Sequence, residues 1–431
     1  MKRQPIALLN PPSLPGNTAN REGAAGMGAV RDAAGGFVYP PQTLATTAAA
    51  LREAGHRDVV AVDAVGEALG LAATMDRVAA HAPGLVGVFV SPATRAADRA
   101  CLRALHECLP GTPFVTFGPG SRFMAHDPEI AGLAHAVLIG EPELAFAALV
   151  AALGTDSDPR GAVSPAELGV AGYDSAGRLL DLNVLPHPAW DLLPRYAFYT
   201  LQAGRGCPDS CVYCPYVVAQ GTTHRPRDPL RVADEMAWLA ATFSPPRLIF
   251  RDPVFAHDRE RVMALCRILQ ERRFDVPWEC ESRPEQFYGE LLRVMKRAGC
   301  RVIKIGLETV DARLLVQWQR VPSLAAASAY VRHTAQVIRA AQQLAITVRL
   351  FVMVGLPDQT EQSVRETARF VHTTQPNALH VMPFVPHPGL TLTGPRPAPD
   401  EVTAQRAILE EAARGLGDRP PARRRWMFWR R

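Results

Sequence analysis

Short apolar segments alternate with helical segments through most of this chain, and most of the apolar segments are followed by Gly, Pro or small polar residues. This alternation predicts parallel sheets with helices packed on their faces. In the first part of the chain the predicted strands are residues 6–9, 59–62, 85–90, 113–117 and 136–139. We expect an α/β, doubly wound, Rossmann-like sheet, whose ligands bind beyond the carboxyl ends of the strands. A nucleotide-binding or flavodoxin-like domain would show the same pattern.

The second part of the chain carries six further strand–helix units. Their strands are predicted at residues 198–203, 247–250, 278–280, 301–305, 346–354 and 379–383. Six such units predict a partial (β/α)6 barrel, in which chemistry takes place at the carboxyl ends of the strands. Four polar side chains follow three of these strands: Asp252, Glu281, Arg283 and Glu308. Their shared position at one rim indicates an active site more strongly than any one of them alone.

Three of the eight cysteines, Cys207, Cys211 and Cys214, have the spacing Cys-x3-Cys-x2-Cys on a loop that contains Gly and Pro. Three thiolates from a compact loop suit three irons of a [4Fe–4S] cluster and leave the fourth iron open. The open iron can bind the amino and carboxylate groups of S-adenosylmethionine (SAM). A ferredoxin-type site would add a fourth cysteine nearby, and none lies between Cys214 and Cys266. A zinc site, with His224 as its fourth ligand, is the alternative.

Composition excludes several classes of protein. Hydrophobic residues make up 48% of the 431 residues and charged residues 21%, which is typical of a folded globular chain. No apolar run reaches the roughly 18 residues of a membrane span, and the amino terminus does not resemble a signal peptide, so a cytoplasmic location is expected. The net charge is +5, but only residues 423–431 combine basic and aromatic side chains, so no nucleic-acid partner is expected. Cys101, Cys108 and Cys266 are expected in the core.

The second part resembles the radical SAM domain over residues 197–390. The resemblance rests on the cysteine spacing and on three short segments, residues 281–283, 305–308 and 355–357. It implies that Tyr213 packs near the adenine of SAM and that Gly355 and its neighbours flank it. It also implies that Glu281, Ser282 and Arg283 contact the ribose or the methionyl part of SAM. Glu308 would then order the pocket.

The first part resembles the cobalamin-binding domain that precedes many radical SAM domains. The residues that carry this resemblance, and that it implies as cobalamin contacts, are Asn10, Ser91, Thr94, Gly118, Gly140 and Glu141. Many cobalamin proteins supply a cobalt-binding His from an Asp-x-His-x-x-Gly sequence. None of the five His residues in this part has Asp two positions before it, so cobalt ligation by that route is not expected.

Together the two resemblances imply a domain order and a function. We expect a cobalamin-binding-like domain at residues 1–153, a linker at 154–196, a radical SAM barrel at 197–385 and a carboxyl-terminal extension at 386–431. The implied cofactors are a [4Fe–4S] cluster, SAM and cobalamin. The implied reaction is methylation of an unactivated carbon in a natural-product or secondary-metabolite substrate, which is a small molecule or a peptide. A reductase such as flavodoxin or ferredoxin would supply electrons.

Two other functions remain open. Radical SAM proteins with this architecture also catalyse cyclisation or rearrangement without methyl transfer. A cobalamin-binding regulator with a degenerate barrel would also show this order of domains, although an intact cysteine triad argues against it. No side chain stands out as the catalytic residue, because the cofactors carry the chemistry.

Overall fold

Two six-stranded parallel sheets organise this computed structural model, which describes residues 4–32 and 37–416. The first sheet has the order β4-β1-β5-β6-β7-β8. Its strands are β1 (Ile6–Asn10), β4 (Val59–Asp63), β5 (Leu85–Phe89), β6 (Phe114–Phe117), β7 (Ala136–Leu138) and β8 (Gly161–Val163). Because the chain proceeds from β1 to β4 and then returns to β5, the topological switch lies between β1 and β5. The doubly wound, Rossmann-like sheet predicted from the sequence is confirmed.

Six helices flank this sheet. They are α1 (Gln42–Glu53), α2 (Leu71–Ala79), α3 (Arg95–Cys108), α4 (Ser121–Met124), α5 (Pro128–Leu133) and α6 (Glu143–Ala152). The strands are almost fully buried, as expected when helices cover both faces of a parallel sheet. Cys101 is buried on α3 as predicted. Cys108, the last residue of that helix, is exposed, so its predicted place in the core is wrong.

A hairpin covers part of the carboxyl edge of the first sheet. The loop that follows β1 forms two antiparallel strands, β2 (Asn17–Asn20) and β3 (Ala29–Asp32). A turn between them approaches the segment after β5, where Ala93 N donates to Met27 O at 3.1 Å. A side chain at Gly28 would begin 2.1 Å from Ser91 Oγ, so only glycine permits this contact. The hairpin therefore lies against the switch region.

The second sheet has the order β16-β15-β14-β13-β12-β9 and confirms the partial (β/α)6 barrel. Its strands are β9 (Tyr199–Leu201), β12 (Leu248–Phe250), β13 (Trp278–Ser282), β14 (Cys300–Glu308), β15 (Thr347–Val354) and β16 (Ala378–Pro383). The helices between these strands are α7 (Pro215–Gln220), α8 (Pro229–Phe243), α9 (Arg259–Glu271), α10 (Gly289–Arg297), α11 (Ala312–Gln317), α12 (Leu324–Gln343) and α13 (Glu361–Thr374). A short ribbon of β10 (Gly204–Arg205) and β11 (Arg225–Pro226) follows β9.

The segment between the sheets is more ordered than a plain linker. Its residues 161–163 form β8, so the first sheet continues ten residues past the predicted boundary at residue 153. Tyr173 and Leu179 form an isolated antiparallel bridge in this segment. Trp190 is fully buried in an apolar core that includes side chains of both sheets. The connecting segment thus helps to join the two layers.

The described part of the carboxyl-terminal extension contains one more helix, α14 (Pro399–Ala412). It packs mainly against α13, and Leu409 is buried there. The basic aromatic residues 423–431 lie outside the described residues. Among the described helices, none combines the length and apolar character that crossing a bilayer requires.

Candidate cluster and cofactor site

The three clustered cysteines lie on the loop between β10 and α7. Cys207 N donates to Gly221 O at 3.1 Å, and Cys214 N donates to Cys211 O at 3.1 Å, so the loop is tied to its own far end. Gly206 has φ +80°, and a side chain there would begin 2.0 Å from Thr223 O. Both the backbone conformation and the close approach therefore require glycine immediately before the first cysteine.

The cysteine side chains lie in surroundings that suit an iron–sulfur cluster. Burial raises the pKa of Cys207 and of Cys214 to about 12, so these thiols become thiolates only when a cation compensates the charge. Two guanidinium groups approach the third thiol, with Arg283 Nη1 at 3.8 Å and Arg320 Nη1 at 3.9 Å from Cys211 Sγ. Soft ligands and nearby cations fit an anionic cluster.

His224, the alternative fourth ligand of a zinc site, lies near Gly204 and His257. A side chain at Gly204 would begin 3.0 Å from His224 Nε2 and 3.4 Å from Asp252 Oδ2. The His224 ring packs edge-to-face against His257, with 5.0 Å between the ring centres. Burial lowers the pKa of His224 to about 4, and Arg261 lowers it further. The His224 imidazole is therefore neutral, and it lies beside Gly204.

Tyr213 contributes to an apolar floor beside the cysteines. Its ring packs edge-to-face against Trp318, with 6.1 Å between the ring centres, and the same cluster includes Cys211, Leu314 and Leu356. The Tyr213 hydroxyl is buried and has no hydrogen-bond partner among the described residues. Burial raises the pKa of this hydroxyl. An unpartnered buried hydroxyl in this place is consistent with a polar ligand above the floor.

The segment 281–283 ends β13, and its three side chains differ in their contacts. Ser282 Oγ accepts from Ala256 N at 2.9 Å and also bonds the Gln286 side chain, so this hydroxyl stabilises the turn after β13. Arg283 forms ion pairs with Asp209 at 3.0 Å and with Glu285 at 2.6 Å. Arg283 therefore connects β13 to the cysteine loop.

Two carboxyl groups at the same rim, those of Glu281 and Glu308, influence each other electrostatically. Burial raises the pKa of Glu281 and raises that of Glu308 to about 7, and the charge of Glu281 contributes to the second shift. Arg320 counteracts both shifts. Glu308 also adopts φ +67°, an uncommon conformation for a residue other than glycine and one that clusters at functional sites.

Arg320 is a site residue that the sequence analysis did not identify. Its guanidinium donates to Gly306 O at 2.6 Å and to the hydroxyl of Tyr330 at 3.1 Å, and it lies 3.9 Å from Glu308. Arg320 follows the short helix α11 and does not follow a strand. Its position in the sequence therefore did not indicate a role in the site. The structure thus adds a buried cation next to Cys211 and Glu308.

Gly355 follows β15 and has φ +79°. Its N–H donates to Gln405 Oε1 at 3.0 Å, and a side chain there would begin 3.0 Å from Val402. The residue implied beside the adenine therefore also contacts α14.

Three of the implied cobalamin contacts belong to a buried hydrogen-bond network at the switch region. Asn10 donates to Asp63 at 2.7 Å, and Ser91 bonds Thr94 at 2.7 Å. The network continues through two more buried residues: Arg21 bonds Asn10 and Asp98, and Asp98 accepts from Thr94 and from Ser91 N. These side chains have partners within the protein.

Packing of the chain also explains the two glycines that the resemblance implied as cobalamin contacts. Gly118 has φ +140°, and a side chain there would begin 2.8 Å from Val90 O and from the Phe89 ring. Gly140 has φ +94°, and a side chain there would begin 2.2 Å from Gly177 O. At both glycines, the group that closely approaches the backbone belongs to the protein and is not a ligand.

Glu141 is the implied contact that reaches the space between the sheets, where it pairs with Arg205 and Arg225. A narrow cavity of about 30 Å³ lies there. Its lining combines both halves of the chain: Glu22, Ala25, Gln42, Thr43, Pro119, Glu141 and Glu143 from the first, and Gln202, Arg205, Gln220 and Arg251 from the second. This volume accommodates only about two water molecules, so the cavity marks where the two halves of the chain meet and does not itself have the size of a cofactor site.

One end of the cavity holds a carboxyl group and a cation. Glu22 accepts from Thr43 N at 2.7 Å, and burial raises its pKa to about 7. Arg251 follows β12, lies 3.5 Å from the centre of the Tyr39 ring and donates to Glu22 O at 2.9 Å. Glu281, the carboxyl group implied to bind SAM, also acts electrostatically on Arg251 and raises its pKa.

Residues 201–371 match the Radical SAM superfamily. The match covers the cysteine loop, β12 to β15 and most of α13. It implies a [4Fe–4S] cluster and SAM as cofactors, and the donor set fits that cluster by its chemistry: three cysteine thiols, two of them buried, with guanidinium groups beside Cys211.

Relatives with similar sequences extend over both sheets. An uncharacterized methyltransferase of Pyrococcus horikoshii is 25% identical over 373 residues, which cover 83% of this chain and 78% of the relative. An anaerobic magnesium-protoporphyrin IX monomethyl ester cyclase of Rubrivivax gelatinosus is 24% identical over 375 residues, which cover 81% of this chain and 65% of the relative.

Solved structures share the fold. The radical SAM methyltransferase TsrM of Kitasatospora setae, solved with cobalamin and a [4Fe–4S] cluster, has a TM-score of 0.66 and 18% identity, over 88% of this chain and 75% of TsrM. The cobalamin-dependent radical enzyme OxsB has a TM-score of 0.64 and 13% identity, over 95% of this chain and 56% of OxsB. At these identities the likeness concerns the fold.

Proposed function

We propose that this chain, whose residues 201–371 match the Radical SAM superfamily, is a cobalamin-dependent radical SAM methyltransferase. The observation that carries the proposal is the shared cavity, which residues at the carboxyl ends of the first sheet line together with residues next to the cysteine loop. Two cofactors must act on one substrate in such a reaction, and a cavity between their domains suits that need. The Pyrococcus horikoshii relative is named a methyltransferase, which supports the same function.

Each half of the chain would hold its own cofactor. Cys207, Cys211 and Cys214 would hold the cluster, and the first domain, at the carboxyl edge of its sheet, would hold cobalamin. When bound, the cluster would supply the electron that cleaves SAM to methionine and the 5′-deoxyadenosyl radical, and cobalamin would supply a methyl group taken from a second SAM, which leaves as S-adenosylhomocysteine. Because Asn10, Ser91 and Thr94 are bonded within the protein, we propose that their side chains shape the carboxyl edge of the sheet and are not the main cobalamin contacts.

The side chains of the barrel would bind SAM and protect the radical. Arg283 and Arg320 place positive charge beside Cys211, where the carboxylate of SAM would approach the open iron. The apolar floor of Tyr213, Leu314 and Trp318 would exclude water, which protects a reactive intermediate from side reactions. Glu281 and Glu308 would contact or order the ribose and adenine.

The substrate that we propose is a small molecule, as in natural-product biosynthesis, methylated at an unactivated carbon. TsrM was solved with a tryptophan substrate, which supports a small-molecule substrate by analogy. Electrons would come from a flavodoxin or a ferredoxin. We retain the domain boundaries expected from the sequence, except that β8 extends the first domain to residue 163.

A second candidate is a radical SAM cyclisation or rearrangement without methyl transfer. It is favoured by the Rubrivivax gelatinosus relative, which is named a cyclase and matches 81% of this chain. Both candidates need the cluster and SAM, so only the fate of the SAM methyl group separates them.

The test is an anaerobic assay of the reconstituted protein with SAM, reductant and hydroxocobalamin. Mass spectrometry would quantify 5′-deoxyadenosine and S-adenosylhomocysteine. Methyl transfer predicts both products, with S-adenosylhomocysteine dependent on cobalamin. Formation of 5′-deoxyadenosine alone would favour the second candidate.

Two cysteine variants provide the controls. Cys211→Ala is expected to lose most of the bound iron and both products, because it removes a cluster ligand. Cys108→Ala, at an exposed cysteine outside the site, is expected to retain both. Normal iron content in Cys211→Ala would contradict the cluster assignment.

A further inference from the structure

Four buried charges join the first sheet to the cysteine loop. Glu141 Oε2 accepts from Arg205 Nη1 at 2.9 Å and from Arg225 Nη1 at 2.9 Å, and Glu141 Oε1 accepts from Arg225 Nη2 at 2.7 Å. Glu143 Oε1 accepts from Arg205 Nη2 at 2.6 Å. The four side chains are between 1% and 9% exposed. We call them the interdomain ion-pair cluster.

The two arginines stand at both ends of the cysteine loop. Arg205 lies two residues before Cys207, and Arg225 is its partner in the antiparallel ribbon of β10 and β11. Arg225 also donates to Gln220 O at 3.1 Å, and Gln220 accepts from Gly206 N at 3.1 Å. The two carboxylates of the first domain therefore bind the arginines at the beginning and at the end of the loop.

The two glutamates are fixed in their own domain. They flank Pro142: Glu141 lies in the segment after β7 and Glu143 begins α6. Glu141 also accepts from Leu179 N at 3.1 Å. Both carboxylate oxygens of Glu141 have guanidinium partners. These contacts leave little capacity for the cobalamin contact that the sequence resemblance implied.

The energetics favour a geometric role for the cluster. Taking four charges out of water costs several kcal/mol for each ion, and attraction offsets this only when the pairs are well aligned. A buried ion-pair network is therefore weak evidence for stability, and the best-attested use of such networks is to fix one arrangement of the chain. Guanidinium groups with two parallel bonds to a carboxylate define both distance and direction.

We propose that Glu141 and Glu143 are positioning residues: through Arg205 and Arg225 they fix the cysteine loop relative to the interdomain cavity. This inference rests on the proposed function, because it explains how cleavage of SAM on the barrel is aligned with a methyl donor on the first domain. Alignment of this kind matters because a displacement of about 1 Å can reduce a reaction rate about 100-fold.

The test compares Glu141→Gln with Glu290→Gln in the reconstituted full-length enzyme. Glu290 pairs with Arg259 at the surface, so it is a matched glutamate in an exposed ion pair. Glu141→Gln keeps all three cysteines and is expected to retain iron and 5′-deoxyadenosine formation. Its ratio of 5′-deoxyadenosine to S-adenosylhomocysteine is expected to rise at least about tenfold, which corresponds to about 1.4 kcal/mol. The ratio of Glu290→Gln is expected to equal that of the wild type.

A spectroscopic measurement makes the result independent of methyl transfer. The electron paramagnetic resonance spectrum of the reduced cluster is expected to change in Glu141→Gln, with and without SAM, because the loop that holds the cluster shifts. Glu143→Gln removes one bond and is expected to change the spectrum and the product ratio less. Glu141→Asp keeps the charge and is expected to lie between the wild type and Glu141→Gln.

Two outcomes would overturn the inference. One is a Glu141→Gln enzyme with the product ratio and spectrum of the wild type. The other is a loss of iron, of both products and of thermal stability in parallel, which would indicate a purely structural role. If the wild type forms no S-adenosylhomocysteine with cobalamin, the proposed function fails, whereas the spectra still test the positioning of the loop.

Discussion

Arg320 shows how much one buried cation can matter at the cluster. Its guanidinium lies 3.9 Å from Cys211 Sγ and holds Gly306 O at 2.6 Å. Charge near an iron–sulfur cluster is one of the factors that set its reduction potential, because reduction adds a negative charge. Arg320 therefore links the cluster, which accepts the electron, to β14, the strand that ends at Glu308.

The first prediction concerns this cation. Arg320→Gln is expected to lower the reduction potential of the cluster by tens of millivolts, because the reduced state loses a stabilising positive charge. A potentiometric titration followed by electron paramagnetic resonance measures this shift. Arg320→Lys keeps the charge and should shift the potential less. Arg332→Gln, at an exposed position on α12, should leave it unchanged, and an equal shift in this control would reject the explanation.

The second prediction concerns the buried carboxyl of Glu22. Burial raises its pKa from 4.5 to about 7, while hydrogen bonds from Thr43 and the charge of Arg251 act in the opposite direction. A carboxyl with a raised pKa in the folded state binds more protons there than in the unfolded state. Its contribution to stability is complete below about pH 4.5 and is lost as the pH rises through 7.

Urea denaturation at pH 5, 6, 7 and 8 checks this sign. The free energy of unfolding of the wild type should fall relative to that of Glu22→Gln as the pH rises to 7, by at most about 1.4 kcal/mol for each pH unit. Glu290→Gln, at an exposed carboxyl, should run parallel to the wild type. A wild type that gains stability relative to Glu22→Gln over this range would show that the carboxyl is ionised in the folded protein.

At the level of elements, the cysteine loop depends on a local backbone conformation as much as on its ligands. Gly206 lies between β10 and Cys207 with positive φ, and Thr223 O occupies the space where a side chain would begin. Gly111, in the turn before β6, also has positive φ, but it has open space around it. Substitutions at these two glycines therefore distinguish the free-energy cost of the backbone conformation from that of the close approach.

The third prediction uses this pair. Gly111→Ala should destabilise the protein by about 1 kcal/mol, because only the backbone conformation is disfavoured. Gly206→Ala should cost several kcal/mol and reduce the iron content, because the loop must also move away from Thr223 O. Thermal denaturation and an iron assay measure both effects. Full iron content in Gly206→Ala would show that the loop tolerates the side chain.

At the level of the whole molecule, the two sheets are joined by a continuous apolar core and not by charges alone. Trp190 is fully buried in the connecting segment, packs against Tyr196 and Tyr199, and belongs to a core with side chains from both sheets. Ala189 N donates to Ala45 O at 2.9 Å, which ties the same segment to α1. Because the core is shared, we expect the two sheets to unfold together.

The fourth prediction tests this shared core. Trp190→Ala should lower the free energy of unfolding by about 3–5 kcal/mol and divide a single calorimetric transition into two. Trp238→Ala, at a partly buried tryptophan on α8, should cost less and retain one transition. A single transition in both variants, with equal losses of stability, would show that Trp190 does not couple the two sheets.

The sequence by itself determined the two kinds of sheet, the partial barrel and the cysteine triad, because these depend on local patterns. Apolar periodicity specifies strands and helices, and three cysteines within eight residues need no distant partner. The same patterns placed Glu281 and Glu308 at one rim, since the ends of parallel strands meet there.

Only the tertiary structure decided which partners the polar residues have. It pairs Glu141 with Arg205 and Arg225, bonds Asn10, Ser91 and Thr94 within the first domain, and brings Arg320 to Cys211. These contacts join residues up to 109 positions apart. No local pattern specifies such pairs, because the side chains meet only after both sheets have packed and water has been excluded between them.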